Sequence, residues 1–367
     1  MQKFQAETPG VTKSGIDTPA LLIDIEAMEN NLERMAEFFR GSEVRLRPHF
    51  KTHKTPIIAH KQMAAGAKGI TCQKLGEAEV LVGAGIADIL IASQIVGSQK
   101  ISRLAGLAHH AHLVVAVDQA DNVRELSQAV SAAGSSLRVV VEVDVGFERC
   151  GVLPGEAAVS LAELVSQSPG LEFAGLMGYE GHAVFMTDRQ SREQAVREAL
   201  ARLVRTAELV RQAGLAVDIV SAGATGTYDM VGRFPGVNEI QAGSYVLMDT
   251  RYREVGVGFR CALTVLATVI SLPAPGRAVI DAGKKTVSAD FGLPTVISPD
   301  GLRLVRLSEE HGILEVDRQA EALRVGDRVE LIPSHVCTTV NQNDRFYALR
   351  RGHLEGIWPI AARGKSQ

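Results

Sequence analysis

Eight short, near-continuously apolar runs follow one another at intervals suited to helical connections, and this pattern restricts the fold more than any other feature of the chain. They are VRLRPHF (44–50), GITCQ (69–73), ADILIA (87–92), HLVVAV (112–117), LRVVVEVD (137–144), EFAGLMGY (172–179), VDIVSA (217–222) and NEIQAG (238–243). Runs that are apolar throughout, rather than alternating with polar residues, match parallel strands covered on both faces. Helical patterns lie between them. Over 188–213, Val196, Leu200, Leu203, Ala207 and Val210 recur every three or four residues, Thr187 and Gln190 have the spacing of a capping box, and Gly214 follows as a terminator. Over 26–40, Met28, Leu32, Met35 and Phe39 share a face that ends at Gly41. Eight strands with intervening helices in about 200 residues predict an α/β fold of the (β/α)8 barrel type. Periodicity alone leaves an open doubly wound sheet as the alternative.

Beyond residue 250 the texture changes. CALTVLATVI, RAVID, GILEV, RVELIP and RFYALR are strand-like and are separated by the turn signals PAPG (273–276), PDG (299–301) and VGD (325–327). A mostly β C-terminal domain is therefore expected. The boundaries predicted are 26–250 for the barrel, and 1–25 plus 251–367 for the β domain. TPALLIDI (18–25) suits either.

The chain has 367 residues, 46% of them hydrophobic, and a formal charge of -3. That charge provides no basic footprint for nucleic acid, no apolar run approaches the roughly 20 residues of a membrane span, and the N-terminus has no apolar signal core. A cytoplasmic protein acting on a small molecule is the expectation. The four cysteines, at 72, 150, 261 and 337, are too dispersed for a disulfide framework. Cys72, Cys150 and Cys261 are expected to pack as small hydrophobes.

Five segments carry chemistry. RPHFKTHK (47–54) places Lys51 where a barrel presents its functional groups, at a strand's C-terminal end. A partly desolvated lysine there is a nucleophile toward an aldehyde. SAGATGTYD (221–229) and EIQAGSYVLMD (239–249) follow the seventh and eighth strands, where barrels commonly hold phosphate on backbone N–H groups. EVDVGFERCG (142–151) offers Arg149 to an anionic group, with an Asp144–Arg149 surface pair as the other reading. PSHVCTTVN (333–341) sets His335 and Cys337 two apart, so that on a strand they share a face. Imidazole with thiolate favours zinc over manganese or magnesium.

Together these segments resemble the fold-type III pyridoxal-phosphate (PLP) family that contains D-threonine aldolase, 3-hydroxy-D-aspartate aldolase and eukaryotic-type D-serine dehydratase, and more distantly alanine racemase. The resemblance runs from TPALLIDIEAMENNLERM to IWPIAARGK and includes GITCQKLGEAE and EEHG. It implies a barrel plus a β domain, usually dimeric, with PLP linked to Lys51. It also implies Arg149 near the cofactor's phenolic oxygen, Gln241 near the ring nitrogen, and Gly223, Thr225, Gly226, Thr227, Gly243, Ser244 and Tyr245 around the phosphate. His335 and Cys337 match a divalent-metal pair, and Tyr179, Glu180 and His182 fall where substrate contacts arise. Three departures bear on the reaction. Aldolases of the family usually carry aspartate where this chain has Cys337, as the dehydratases do; they tend to have a His-Asp pair shortly downstream, where this chain has Asn343 and Asp344; and they often read Y-H-G where this chain reads Tyr179-Glu180-Gly181-His182. The remaining texture favours the aldolase branch. The expected activity is metal-assisted cleavage of a D-3-hydroxy amino acid to glycine and an aldehyde. The alternatives are a D-serine or 3-hydroxyaspartate dehydratase, a racemase, and a non-catalytic PLP carrier.

Overall fold

The computed structural model describes residues 10–317 and 322–367, so the first nine residues assigned above to the β domain lie outside it. Each of the eight apolar runs contains a strand: Arg45–Leu46, Ile70–Cys72, Asp88–Gln94, His112–Val117, Leu137–Glu142, Leu171–Met177, Ile219–Ala222 and Glu239–Ile240. All pair in parallel with their chain neighbours, and the last pairs with the first. The ring closes between the first and second strands, through a parallel bridge from His49 to Thr71 and an N–H of Thr71 donated to Pro48 O at 2.9 Å. A closed barrel therefore replaces the open-sheet alternative. Its interior is filled by residues such as Leu90, Val114, Val140, Ala174 and Met177, and a packed cylinder of this kind leaves function to its rim.

The long helix Arg189–Gln212 buries Val196, Leu200, Leu203, Ala207 and Val210, the stripe expected from periodicity. Its N-terminus differs from the Thr187–Gln190 box: Asp188 is the cap, and its carboxylate accepts the Ser191 N–H at 2.8 Å. A charged acceptor one residue on caps the helix at the Ser191 N–H instead. Gly214, at φ +89°, ends the helix as predicted.

The other compact unit is β-rich. It comprises residues up to Arg34, Thr52–Thr55 and Ser244–Arg363; the barrel unit comprises Met35–Lys51, Pro56–Gly243 and Gly364–Gln367. The helix Ile25–Phe39 runs from one unit into the other. The β-rich unit is organised around the long strand Leu263–Ala274, which pairs with Ala20–Asp24, Arg277–Ile280 and Arg328–Ile332. TPALLIDI thus supplies a strand of this sheet. Its core gathers Ile16, Ala20, Leu22, Leu266, Leu349 and Leu354. Thr295–Ser298, Leu302–Leu307 and His353–Pro359 are strands that the sequence reading did not identify; their half-exposed residues do not make an apolar run.

Candidate active site

Within the barrel unit, the C-terminal ends of neighbouring strands bring most of the sequence candidates to one rim. Lys51 lies on a single helical turn, Phe50–Thr52, just past the first strand. Phe50 is fully buried, Lys51 is half-buried, and the Lys51 backbone N–H approaches His49 Nδ1 at 3.4 Å. The turn is thus anchored by Phe50 and Thr52, with the half-buried Lys51 between them.

The seventh and eighth strands are direct neighbours, pairing Ser221 with Glu239 and Ala222 with Ile240. The loops that follow hold Gly223, Thr225, Gly226 and Thr227 in one case and Gly243 in the other. Gly223 requires its glycine at φ +87°. A Cβ at Gly226 would fall 2.2 Å from Val184 O, so the loop packs closely against the segment after the sixth strand. Glu180, fully buried, fixes that contact by accepting the Thr227 hydroxyl at 2.5 Å and the Gly223 N–H at 3.1 Å. Burial pushes the Glu180 carboxyl upward, opposed by these hydrogen bonds. Glu180 is therefore a structural clasp on the glycine loop. Glu180→Ala leaves two buried donors unpaired and is expected to cost on the order of 3 kcal/mol, read from urea unfolding, with faster loss of bound cofactor on dialysis. Among the described residues no backbone carbonyl takes the Gly226 or Gly243 N–H.

Arg149 pairs with Glu142, at 3.5 Å, rather than with Asp144. Asp144 is occupied by the turn, accepting the N–H groups of Gly146, Phe147 and Glu148 at 2.9, 3.1 and 3.1 Å. The guanidinium lies 5.4 Å from the centre of the Phe147 ring and 5.1 Å from that of Tyr179, and those rings meet edge to face. Tyr179 is thereby a wall that positions Arg149. Glu142 is held from its other side by Gln94 Nε2 at 2.6 Å; burial raises its carboxyl, with Gln94 and Arg149 acting against that. Asp118, Glu142 and Cys150 bring ligand atoms within 4.8 Å of one another, but Arg149 and the Gly151 N–H already engage the two carboxylates. Cys150 is exposed, which corrects the packing role expected for it; it lies in a polar loop, whereas Cys72 is buried.

Gln241 ends a directional chain. Arg47 Nε donates to Glu239 at 2.8 Å, Ser221 Oγ donates to Glu239 at 2.9 Å, and Gln241 Nε2 donates to Ser221 Oγ at 2.9 Å. An ionised carboxylate only accepts, so the Ser221 proton goes to Glu239 and its oxygen must take the amide N–H. One of the two amide N–H groups of Gln241 is thus engaged by the protein. The opposite mouth of the barrel has a cavity of about 500 Å³. Its charges compensate one another, Arg47 with Asp88 and Glu239, Arg138 with Glu172 and Asp218. His182 is half-buried beside the glycine loop's clasp, and its Nδ1 is buried with no protein partner.

Four further candidates belong to the β-rich unit. Ser244 and Tyr245 are buried in the turn Ser244–Val246, where Ser244 Oγ lies 3.4 Å from Thr52 Oγ1 and Tyr245 packs against Phe259. His335 and Cys337 do come together, but not on a strand. His335 caps the short helix Val336–Asn341, in whose first turn Cys337 sits. His335 is extended, at φ -142° and ψ 109°, so it is this cap geometry and not helical periodicity that puts its ring beside Cys337. Fully buried Asp249 accepts the Val336 N–H at 2.9 Å and anchors that start. His335 Nδ1 lies 2.6 Å from Asp290 Oδ2, and the ring also hydrogen-bonds Cys337. Burial alone would lower its pKa, but Cys337 and Asp290 outweigh that and push it up to about 9. Cys337 Sγ is 3.7 Å from the hydroxyl of Thr52, the residue that follows Lys51 in the chain. Neither Asp249 nor Asp290 was a sequence candidate. Asp249 stands at the end of a quoted motif, whereas Asp290 lies in a loop with no motif at all.

Known proteins match both units. The alanine racemase N-terminal domain matches residues 23–251, and a putative serine dehydratase domain matches residues 262–349. A D-threonine aldolase of Arthrobacter sp is 40% identical over 98% of this chain and 96% of its own length. The chain belongs to the D-threonine aldolase family. Members of this family are PLP-dependent lyases. A 3-hydroxy-D-aspartate aldolase of Paracoccus denitrificans is 36% identical over 97% of this chain and 95% of its own. The crystal structure of D-threonine aldolase from Filomicrobium marinum superposes with a TM-score of 0.95 at 41% identity, covering 98% of this chain and 99% of that one. Dehydratases of the family are similar too: the D-threo-3-hydroxyaspartate dehydratase of Delftia sp. is 33% identical over 94% of this chain and 97% of its own. Among the described residues no helix is long and apolar enough to cross a membrane.

Proposed function

We propose that this family member cleaves a D-3-hydroxy amino acid of the D-threonine type between Cα and Cβ, releasing glycine and an aldehyde. The observation that carries this reading is full-length similarity to a D-threonine aldolase, joined to a lysine presented at the barrel rim. The residues fit PLP: an amine on an anchored turn, two loop N–H groups that no backbone carbonyl takes, an arginine braced by Glu142, and the unpartnered Nδ1 of His182. PLP supplies an electron sink for the pair of electrons left when the bond breaks. Lys51 would hold it covalently. The loops Gly223–Thr227 and Gly243–Tyr245 would hold its phosphate, Arg149 its phenolic oxygen, and Gln241 its ring edge. Tyr179 keeps Arg149 in place. His182 is assigned to proton movement, because a buried ring nitrogen with no protein acceptor or donor is disposed to exchange a proton with a ligand.

His335 and Cys337 would hold a divalent metal, zinc by ligand chemistry, with manganese or magnesium as the harder alternatives; its contribution is to lower the pKa of a substrate hydroxyl. The solved family members include a cysteine-to-alanine variant of D-threo-3-hydroxyaspartate dehydratase described as metal-free. Cys337 also favours a second reading, elimination of water from D-serine or 3-hydroxyaspartate followed by hydrolysis of the resulting imine to a 2-oxo acid and ammonia, since that family branch shares the cysteine. Product analysis separates the two. D-threonine with added zinc or manganese is expected to yield glycine and acetaldehyde. Formation of only a 2-oxo acid and ammonia across D-threonine, D-serine and 3-hydroxyaspartate rejects the aldolase. The resemblance extends to a cytoplasmic homodimer, checked by light scattering of the purified enzyme and by fractionation of cells.

A further inference from the structure

We propose that Asp290 is the positioning residue of the metal centre, fixing the tautomer and orientation of His335 so that Nε2 is the ligating nitrogen. The proposal rests on the assignment of His335 and Cys337 as ligands.

The carboxylate of Asp290 only accepts, so His335 Nδ1, 2.6 Å from Oδ2, must carry a proton. The lone pair of the neutral ring is then on Nε2. With Nδ1 committed, Nε2 is the ring nitrogen left for a ligand. A second contact fixes the plane of the ring: Phe291 stacks on it with centroids 4.2 Å apart and planes 13° apart. Phe291 is otherwise a large, exposed hydrophobic residue, and this stacking gives it a task.

Asp290 is itself held. Thr338 Oγ1 reaches its two carboxylate oxygens at 3.2 and 3.3 Å, and the Ser288 hydroxyl donates to Oδ1. Thr338 directly follows Cys337, so one short helix provides a ligand and the anchor of the group that orients the other ligand. A carboxylate behind a ligating imidazole raises the basicity of that imidazole, and removing such a partner typically costs about 10–100-fold in metal affinity. The competing account is that Asp290 only staples its loop to the helix Val336–Asn341.

The test measures zinc affinity of the full-length, cofactor-loaded protein by competition with a chelating dye after the metal has been stripped. Asp290→Ala is expected to weaken zinc binding 10–100-fold. Asp290→Asn, which keeps the shape and an acceptor but not the charge, is expected to fall between this variant and the parent, and it covers the case in which the alanine variant misfolds. Thr338→Val loosens the staple without removing the carboxylate and is expected to shift affinity by less than Asp290→Ala. Parental affinity in both Asp290 variants, with zinc lost in His335→Ala, overturns the proposal and leaves the ligand assignment standing. Parental zinc affinity in His335→Ala overturns the ligand assignment and the proposal with it.

Discussion

Lys51→Ala yields a folded, colourless protein whose turnover is down by more than about a thousandfold. The structural part of this expectation comes from the turn Phe50–Thr52. Phe50 and Thr52 are buried at 0% and 1% exposure, so the turn is held by the residues on either side of the lysine. The chemical part follows from the roles assigned at the rim. Lys51 is proposed to anchor the cofactor, so without the amine the electron sink is no longer held at the site; loss of even a single positioned acid–base group costs roughly 10²–10⁴-fold. The measurement is the visible spectrum before and after borohydride, with the reduced adduct mapped by mass spectrometry. The parent is expected to carry the label on the peptide containing Lys51. Lys54 is the competing amine: it is more buried, at 8% exposure, and has a left-handed backbone, φ 52°. A label on Lys54, or a coloured Lys51→Ala protein, moves the cofactor site and removes the basis of the proposed reaction.

That Lys51 was identifiable from sequence, and Asp290 was not, shows where such reading succeeds. Parallel strands covered on both faces must be apolar, and the residue just past each one inherits a place at the rim, so eight runs located eight strands and the rim with them. The identity of hydrogen-bond partners has no such periodic signature. The sequence left Arg149 between an anionic ligand and a surface pair with nearby Asp144, yet Asp144 Oδ1 takes three N–H groups of its own turn and Glu142 takes the arginine. Glu180 stood among possible substrate contacts, and only its burial against Thr227 and Gly223 shows that it organises a loop. Likewise, nothing about Thr52–Thr55 in the sequence indicates that four residues immediately after Lys51 group with the β-rich unit. Local spacing reports which face a residue occupies; it does not report which of several acceptors a donor meets.

Removing the metal is the second large effect, and the identity of residue 337 decides which metal restores activity. Chelation or His335→Ala is expected to lower turnover by more than about a thousandfold, because Lewis-acid stabilisation of a developing alkoxide is worth several kcal/mol. The cofactor's visible band should survive, since Lys51, Arg149 and the glycine loops are untouched. Cys337→Asp is the more informative variant. Thiolate selects soft or borderline metals and carboxylate suits manganese and magnesium. His335 keeps its orientation through Asp290 and Phe291 whichever group occupies position 337. The variant is therefore expected to lose preference for zinc and to respond best to manganese, retaining the same products from D-threonine. Cys337→Ala, with one protein ligand left, should bind either metal weakly. The measurement is turnover of stripped enzyme against titrated zinc and manganese. Equal responses of parent and Cys337→Asp to both ions would remove Cys337 from the metal centre. A switch of products from glycine and aldehyde to a 2-oxo acid and ammonia between the two proteins would mean that residue 337 selects the reaction instead of the ion.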